Sequence, residues 1–465
     1  MLLLPLSEES KVPLYEQVYH AIKEKIRSGR LVCGEQLPSS RALSAQLSVS
    51  RSTVNSAYEQ LLSEGYLVSM EKRGYFVADI GSMLPAAPVP QKGAPSVPPV
   101  PAGTGSDSFS PFAIDMELFP HTLWKRFMND AMQHLNSQTL SLGDPNGELS
   151  FRSAIADYLS QSRGVICTPE QIFVGAGTDY LLLLLCGLLK RNAEIAMENP
   201  TYLRAYHVFC GQGFGVIPIP VTSHGMDLAA LEASNAQIAY ITPSHQYPLG
   251  VVMPVSSRSR LLSWAAKAED RYIIEDDHDS EFRYKGLPIP SLQGMDEHGR
   301  VIYLGTFSRT IAPAIRISYM VLPPELMQRF RSEFSYFSST VSRVDQEILS
   351  RFLREGHFER HLNKMRKLYH QRHDAMLHAL RCFGDTITIS GENAGLHLVV
   401  TFHGYGTEEE IQRRAQSVGL HLYSLKRHEL LSYVPAEPSF LFGFAGLAEE
   451  KTKQQVALLF HALHA

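Results

Sequence analysis

Apolar and polar positions in the first eighty residues follow a helical period and then an alternating one. In "PLYEQVYHAIKEKIRSG", Tyr15, Val18, Ile22 and Ile26 recur on one helical face, and Gly29 ends the run. A second helix is expected from Ser39 or Ser40, just after Pro38. Beyond the turn "SVS", Ser50 can cap a third helix whose apolar stripe is Val54, Ala57, Tyr58, Leu61 and Leu62, closed by Gly65. "YLVSMEKRGYFVAD" then alternates on both sides of a turn at Lys72, Arg73 and Gly74, as a hairpin does.

Three helices followed by a hairpin predict a winged helix-turn-helix over residues 1–79. The second helix of the turn motif is the one expected in a DNA major groove. Its outward residues are Arg51, Ser52, Thr53, Asn55 and Ser56, short hydrogen-bonding side chains and one arginine, suited to phosphates and base edges. Ser50 precedes them, and Arg41, Arg73 and Gly74 flank them on the preceding helix and the wing. The alternative is a small helical module whose polar face is merely solvated. The order of elements and the wing favour DNA binding.

The helical and alternating patterns stop at "GSMLPAAPVPQKGAPSVPPVPAGTGSDS", where Pro, Ala, Gly and Ser dominate. Residues 80–108 therefore read as a linker. From residue 109 to 465 the pattern is different. "QIFVGAGTDYLLLLLCGLL" reads as a short strand, a glycine-rich turn and a helix. "AEIAMENPTY", "IAYITPSHQYPLG", "RYIIEDDHDSEF" and "VIYLGTFSRT" are short apolar runs that end in polar residues. Such runs are expected of parallel strands in an α/β sheet, with functional groups at their carboxyl ends. No repeat at solenoid periods is present.

Composition narrows the function classes. A chain of 465 residues, 44% hydrophobic and 19% charged, suits an ordinary globular protein of two or three domains. A net charge of −4 offers no global basic field, so any DNA contact must be local. The five cysteines form no C-x-x-C pair, and no histidine cluster has metal-ligand spacing, so neither a disulfide frame nor a metal site is expected. "MLLLPLSEES" lacks the basic start of a signal peptide, and "LLLLLCGLL" falls short of the roughly 20 apolar residues that span a bilayer. A cytoplasmic protein is expected.

The strand ends carry the candidate chemistry. Gly175, Gly177 and Thr178 open a helix whose N–H groups and dipole can hold a phosphate, although plain strand-to-helix packing would give the same turn. Asp276 closes an apolar strand. If buried, it needs a partner, and a protonated ring nitrogen is one; a solvated strand-end acid is the alternative. Tyr202 can stack on a ring or simply pack. Ser308 and Arg316 can both reach a phosphate, the arginine with two donors.

These segments carry two resemblances. "LPSSRALSAQLSVSRSTVNSAYEQLLSEGYL" and "KRGYFV" resemble the winged-helix domain of GntR-type bacterial regulators. "GDPNGELSFRSAIADYLSQSRGV", "VGAGTDYLLLLL", "ENPTYLRAY", "TPSHQYPLGVVMP", "YIIEDDHDSEF", "GTFSRTIAPAIRISYMVLPPE" and "ENAGLHLVV" resemble, in order, segments of fold-type I aminotransferases. The whole chain is thus similar to the MocR subfamily of GntR regulators, and especially to GabR-type proteins, which sense an amino acid through pyridoxal phosphate. The resemblance implies a multidomain fold, with a winged helix-turn-helix followed by an α/β pyridoxal-phosphate-dependent aminotransferase-like domain, and a homodimer. It implies that Asp276 pairs with the pyridine nitrogen and Tyr202 lies against the ring. Gly177, Thr178, Ser308 and Arg316 would hold the phosphate, and Arg204 and Arg427 the carboxylate of an effector.

Two residues depart from that family's pattern. His278 stands where a tyrosine is expected near the ring hydroxyl, and Arg309 stands where the family has the Schiff-base lysine. A Schiff-base lysine must lose a proton and attack an aldehyde. Arginine as a residue type stays protonated at accessible pH, so it cannot form that bond or shuttle that proton. Lys285, nearby in sequence, lies outside the motif. The expectation is therefore a DNA-binding regulator and not an enzyme, with pyridoxal phosphate held non-covalently and a small anionic effector such as an amino acid. A cavity adapted to another anion, a body that only dimerises, and an aminotransferase carrying a DNA-binding head are the alternatives.

Overall fold

The computed structural model describes residues 12–79 and 108–464, apart from 135, 138, 285, 287, 288 and 432–436. The chain divides into two compact units, Met1–Pro101 and Ala102–Ala465. The expected linker, Ser108 excepted, lies outside the described residues, as does Lys285.

The first unit consists of α1 (Leu14–Arg27), α2 (Ser40–Leu47), α3 (Arg51–Ser63), β1 (Leu67–Met70) and β2 (Gly74–Val77). Hydroxyls set the helix starts. Ser39 accepts the Ala42 N–H at 3.2 Å, and Ser50 accepts that of Thr53 at 3.0 Å. Ser48, left-handed at φ 56°, ends α2 and lets the chain turn into α3. β1 and β2 pair antiparallel around a turn in which Lys72 has φ 61°. Val18, Ile22 and Ile26 of α1 meet Val54, Ala57, Tyr58 and Leu61 of α3 in one core. Two expected core residues differ. Tyr15 stays 41% exposed because it lies in the first turn of α1, ahead of Val18, where contact with the core begins; Tyr19 is buried instead. Leu62 is only half-buried.

The second unit runs through α4 (His121–Gln133), α5 (Leu149–Arg163), β3 (Ile172–Gly175), α6 (Thr178–Leu188), β4 (Glu194–Asn199), α7 (Leu203–Gly211), β5 (Gly215–Thr222), β6 (Gly225–Met226), α8 (Leu228–Ala233), β7 (Ile238–Ile241), α9 (Val255–Ala266), β8 (Tyr272–Asp277), β9 (Val301–Thr306), β10 (Ser318–Val321) and α10 (Pro324–Glu333). It continues through α11 (Arg343–Arg354), α12 (His357–Leu380), β11 (Ile387–Ser390), β12 (His397–Phe402), α13 (Glu408–Ser417), β13 (Tyr423–Ser424), β14 (Ser439–Gly443) and α14 (Glu449–His464). No helix among the described residues is long and apolar enough to cross a membrane.

Eight strands form one sheet in the order β3-β10-β9-β8-β7-β4-β5-β6. β9, β8, β7, β4 and β5 are parallel neighbours. β10 is antiparallel to both β9 and β3, so β3 runs with the parallel set. The central strands are mostly apolar up to their carboxyl ends because both faces are covered. Ile195, Met197, Ile238, Tyr240 and Ile274 pack with α6 and α10, whereas Ala196, Ala239, Ile241 and Ile273 pack with α8 and α9. The leucine run of α6 fills the first of these cores, with Leu183 alone among its leucines well exposed at 44%. A second, antiparallel sheet of order β11-β12-β14-β13 has its own core against α12, α13 and α14.

The carboxyl ends of β3, β4, β7, β8 and β9 share one edge of the large sheet, so residues far apart in sequence meet there.

Candidate nucleic-acid face and ligand cavity

In the first unit, Arg51, Ser52 and Ser56 of α3 are exposed and Thr53 and Asn55 half-buried, while Val54, Ala57 and Tyr58 turn inward. Ser50 is occupied by its capping role, and its hydroxyl also lies 2.7 Å from those of Ser52 and Thr53. Arg41 is exposed on α2. Arg73 and Gly74 are exposed in the hairpin turn. The Arg73 guanidinium sits 5.7 Å from the Phe76 ring centroid, and its carbonyl accepts from Gln36 Nε2.

In the second unit, a cavity of about 210 Å³ opens at the shared strand edge. At one end the chain leaves β3 and enters α6. Gly177, at φ 95°, precedes the helix, and a Cβ there would collide with Arg316 Nη2. Arg316 Nη2 lies 3.3 Å from Asp179 Oδ2, and Arg204 Nη1 lies 3.9 Å from the same oxygen. Thr178 lines the cavity beside them. The Ser308 backbone N–H donates to Thr306 Oγ1 at 3.1 Å, but the Ser308 hydroxyl is buried and has no partner among the described residues. The hydroxyl, the guanidinium and the helix N-terminus make a cradle suited to a dianion.

Asp276, 7% exposed, lines the cavity from the carboxyl end of β8. Burial pushes its carboxyl up to about 6, against the hydrogen bond donated by the Tyr240 hydroxyl to Oδ2. A cationic donor at its other oxygen would restore the ionised form. Tyr202 is half-buried and meets Tyr247 edge-on at 5.9 Å. His278 lines the same cavity, and burial lowers its imidazole below the usual range, against the attraction of Asp279.

Arg309 follows Ser308 and also lines the cavity. Its Nη1 donates to the Pro111 carbonyl at 3.0 Å, and its guanidinium lies 5.9 Å from the Phe112 ring centroid. Arg204 lines the cavity, but Arg427 does not. Arg427 is exposed in the short turn Leu425–His428, which docks on the β4–α7 loop through the Thr201 N–H to His428 carbonyl bond, 2.9 Å. Of the two expected carboxylate-binding arginines, Arg204 alone lines this cavity.

Several contributors carry no signal in the linear sequence. Tyr240 reaches Asp276 from the neighbouring strand β7; Thr242 and Tyr247 come from "TPSHQYPLG", and Phe112 from the segment just after the linker. No metal-ligand group was expected, yet ligand atoms of His245, His278 and Asp279 all lie within 4.8 Å of one another. His245 Nδ1 is 3.0 Å from Asp279 Oδ1, and His278 Nε2 is 3.3 Å from it. Burial would raise Asp279, but the two histidines outweigh it and hold the carboxyl well below its ordinary range. Linear spacing could not announce this group because β7 and β8 bring its members together.

Comparison with known proteins matches each unit separately. Residues 14–77 fit the family "Bacterial regulatory proteins, gntR family", and residues 117–439 fit "Aminotransferase class I and II". The chain is 40% identical to the uncharacterized HTH-type transcriptional regulator YhdI of Bacillus subtilis, covering 96% of this chain and 94% of that one. It is 33% identical to the probable rhizopine catabolism regulatory protein MocR of Rhizobium meliloti, over 97% and 94% of the two chains. The chain belongs to the MocR-like regulators of the GntR family. Another MocR-like relative, the pyridoxine biosynthesis transcriptional regulator PdxR of Corynebacterium glutamicum, is 30% identical over 97% of this chain and 95% of its own. Among solved structures, Pyrococcus horikoshii kynurenine aminotransferase in complex with PMP superimposes with a TM-score of 0.67 at 25% identity, covering 77% of this chain and 91% of that one. These relatives carry regulator names, while the neighbours of the second unit's fold are aminotransferases.

Proposed function

We propose that this MocR-like chain is a transcriptional regulator that binds DNA through its winged helix and holds pyridoxal phosphate, without a covalent link, in the cavity of its aminotransferase-like body. The observation that carries this reading is the buried Ser308 hydroxyl, unpartnered among the described residues, in a cavity it lines together with Arg316, which abuts the Gly177 turn. It offers a cradle whose polar atoms still need an anion. Asp276 suits a protonated ring nitrogen because its buried carboxyl ionises more readily beside a cation.

In this reading Gly177, Thr178, Ser308 and Arg316 hold the phosphate, Asp276 the ring nitrogen, Tyr202 the ring and His278 the ring oxygen. Arg309 supplies a fixed positive charge in place of a nucleophile. The cofactor, when bound, supplies an aldehyde and an electron-poor ring; the protein binds and orients it but turns nothing over. Arg204 is the candidate partner for an effector carboxylate. The body is proposed to form the homodimer, for which the exposed Leu140, Leu142 and Leu149 offer apolar surface. The effector acts by favouring one presentation of the two DNA-binding heads over another.

DNA binding measured with and without pyridoxal phosphate and candidate amino acids tests the sensing. Absorbance with pyridoxal phosphate, before and after borohydride and exhaustive dialysis, tests the mode of binding: the cofactor is expected to dialyse away. Retention after reduction, or turnover of an amino acid, would defeat the non-covalent reading.

A further inference from the structure

The two departures from the aminotransferase pattern line one cavity, and they bear on which chemical form of the cofactor it accepts, given the cofactor site proposed for this protein. In a pyridoxyl phosphate, C4 lies para to the ring nitrogen and between the carbons bearing the hydroxyl and the phosphate arm. With the nitrogen at Asp276, the hydroxyl at His278 and the phosphate at Ser308 and Arg316, the C4 substituent would face the wall between Ser308 and His278. Arg309 belongs to that part of the wall. It directly follows Ser308, and its charge bears on His278.

The Arg309 guanidinium is only partly used by the protein. Of its five N–H donors, one is engaged with the Pro111 carbonyl, and the Phe112 contact holds the group at the cavity wall. Among the described residues it forms no ion pair, whereas Arg316 and Arg204 both lie beside Asp179. It is therefore a cation with spare donors and no directly paired carboxylate among the described residues, although the ionised Asp279 lies within reach of its charge. A C4 group that accepts hydrogen bonds gains from it. A C4 group that is itself a cation meets a like charge in a partly desolvated space.

We infer that Arg309 makes the cavity selective for pyridoxyl phosphates whose C4 substituent is a hydrogen-bond acceptor, the aldehyde above all, and against the C4 ammonium of pyridoxamine phosphate. The lysine that captures the aldehyde in the enzymes is replaced here by a residue that recognises it. The regulator thereby distinguishes the two forms that an aminotransferase interconverts.

Calorimetric titration of the full-length protein with pyridoxal phosphate, pyridoxamine phosphate and inorganic phosphate tests this. An Arg316→Ala protein reports attachment outside the cavity. The aldehyde is expected to bind at least about tenfold more tightly than the amine, about 1.4 kcal/mol. Arg309→Gln should bring that ratio close to one, and Arg309→Lys should trap the aldehyde in a borohydride-reducible link. Should Arg309→Gln not fold, the ratio in the unaltered protein still decides. Equal affinities, or tighter binding of the amine, would overturn the inference while leaving the cofactor site intact. If neither pyridoxyl phosphate binds more tightly than inorganic phosphate, the proposed function fails, and this inference fails with it.

Discussion

Replacing Asp276 by asparagine separates the proposed ring-nitrogen partner from everything else in the cavity. The substitution keeps the shape and leaves an oxygen for the Tyr240 hydroxyl, but it removes a charge. In the free protein, burial holds the Asp276 carboxyl at about 6. Only the ionised form can pair with a pyridinium, so a site with that value is roughly nine-tenths ready at pH 7 and one-tenth ready at pH 5. Asp276 alone should then weaken pyridoxal phosphate binding about tenfold between pH 7 and pH 5. The ligand's phosphate loses charge over the same interval, since its second ionisation lies near ~6. That contribution is common to both proteins, so the comparison is the pH dependence of the unaltered protein divided by that of Asp276→Asn. At pH 7 the variant should also bind more weakly by about 1.5–3 kcal/mol, the worth of a hydrogen bond to a charged group. Stability in the absence of ligand carries the opposite sign. A carboxyl raised by folding contributes stability that is present below its unfolded value near ~4 and is lost as pH rises through about 6. The unliganded protein should therefore lose more melting temperature than Asp276→Asn between pH 5 and pH 7. Affinity profiles of identical shape for the two proteins would refute the assignment of Asp276.

Four further outcomes are expected. Tyr240→Phe removes the donor that favours ionised Asp276, so the midpoint of the affinity-versus-pH curve should move upward; a stationary midpoint would mean that the Tyr240 bond does not govern Asp276. Gly177→Ala puts a Cβ against Arg316 at a backbone angle that alanine resists, and should cut phosphate-dependent binding by at least about tenfold, read by calorimetry against unchanged DNA affinity. Ser50→Ala removes the cap of α3 and should cost the first unit about 1 kcal/mol, seen as an earlier unfolding transition in a denaturant titration. Arg51→Ala should weaken operator binding; if Arg51 meets a phosphate, the slope of log affinity against log salt falls by about one, and if it meets a base edge, sequence discrimination falls instead.

Much of the N-terminal unit is legible in the sequence because its signals are local. The caps at Ser39 and Ser50, the stripe of α3 and the turn at Lys72 each act within a few residues. Tyr15 departs from expectation because helical periodicity says which face a residue occupies but not whether a partner extends that far along the helix. In the body, the apolar runs mark the parallel strands well. β10 is harder to read, because its four residues, all buried, continue the signature stretch around Arg309 without a break or an alternation to mark them. Arg427 lies in a loosely matching segment, and its local turn leaves it outside the cavity.

The sequence by itself determined the two-part plan and the winged helix with its outward polar face, and its resemblance to aminotransferases raised the expectation that Arg309 takes the place of an imine-forming lysine. These are matters of residue type and short-range period. Only the tertiary structure decided who keeps company with whom. It joined Tyr240 to Asp276 across two strands, assembled His245, His278 and Asp279 from separate loops, and tied Arg309 to Pro111 and Phe112. Such meetings depend on the parallel order of the sheet and on burial, because a carboxyl changes its proton affinity only when packing removes its water.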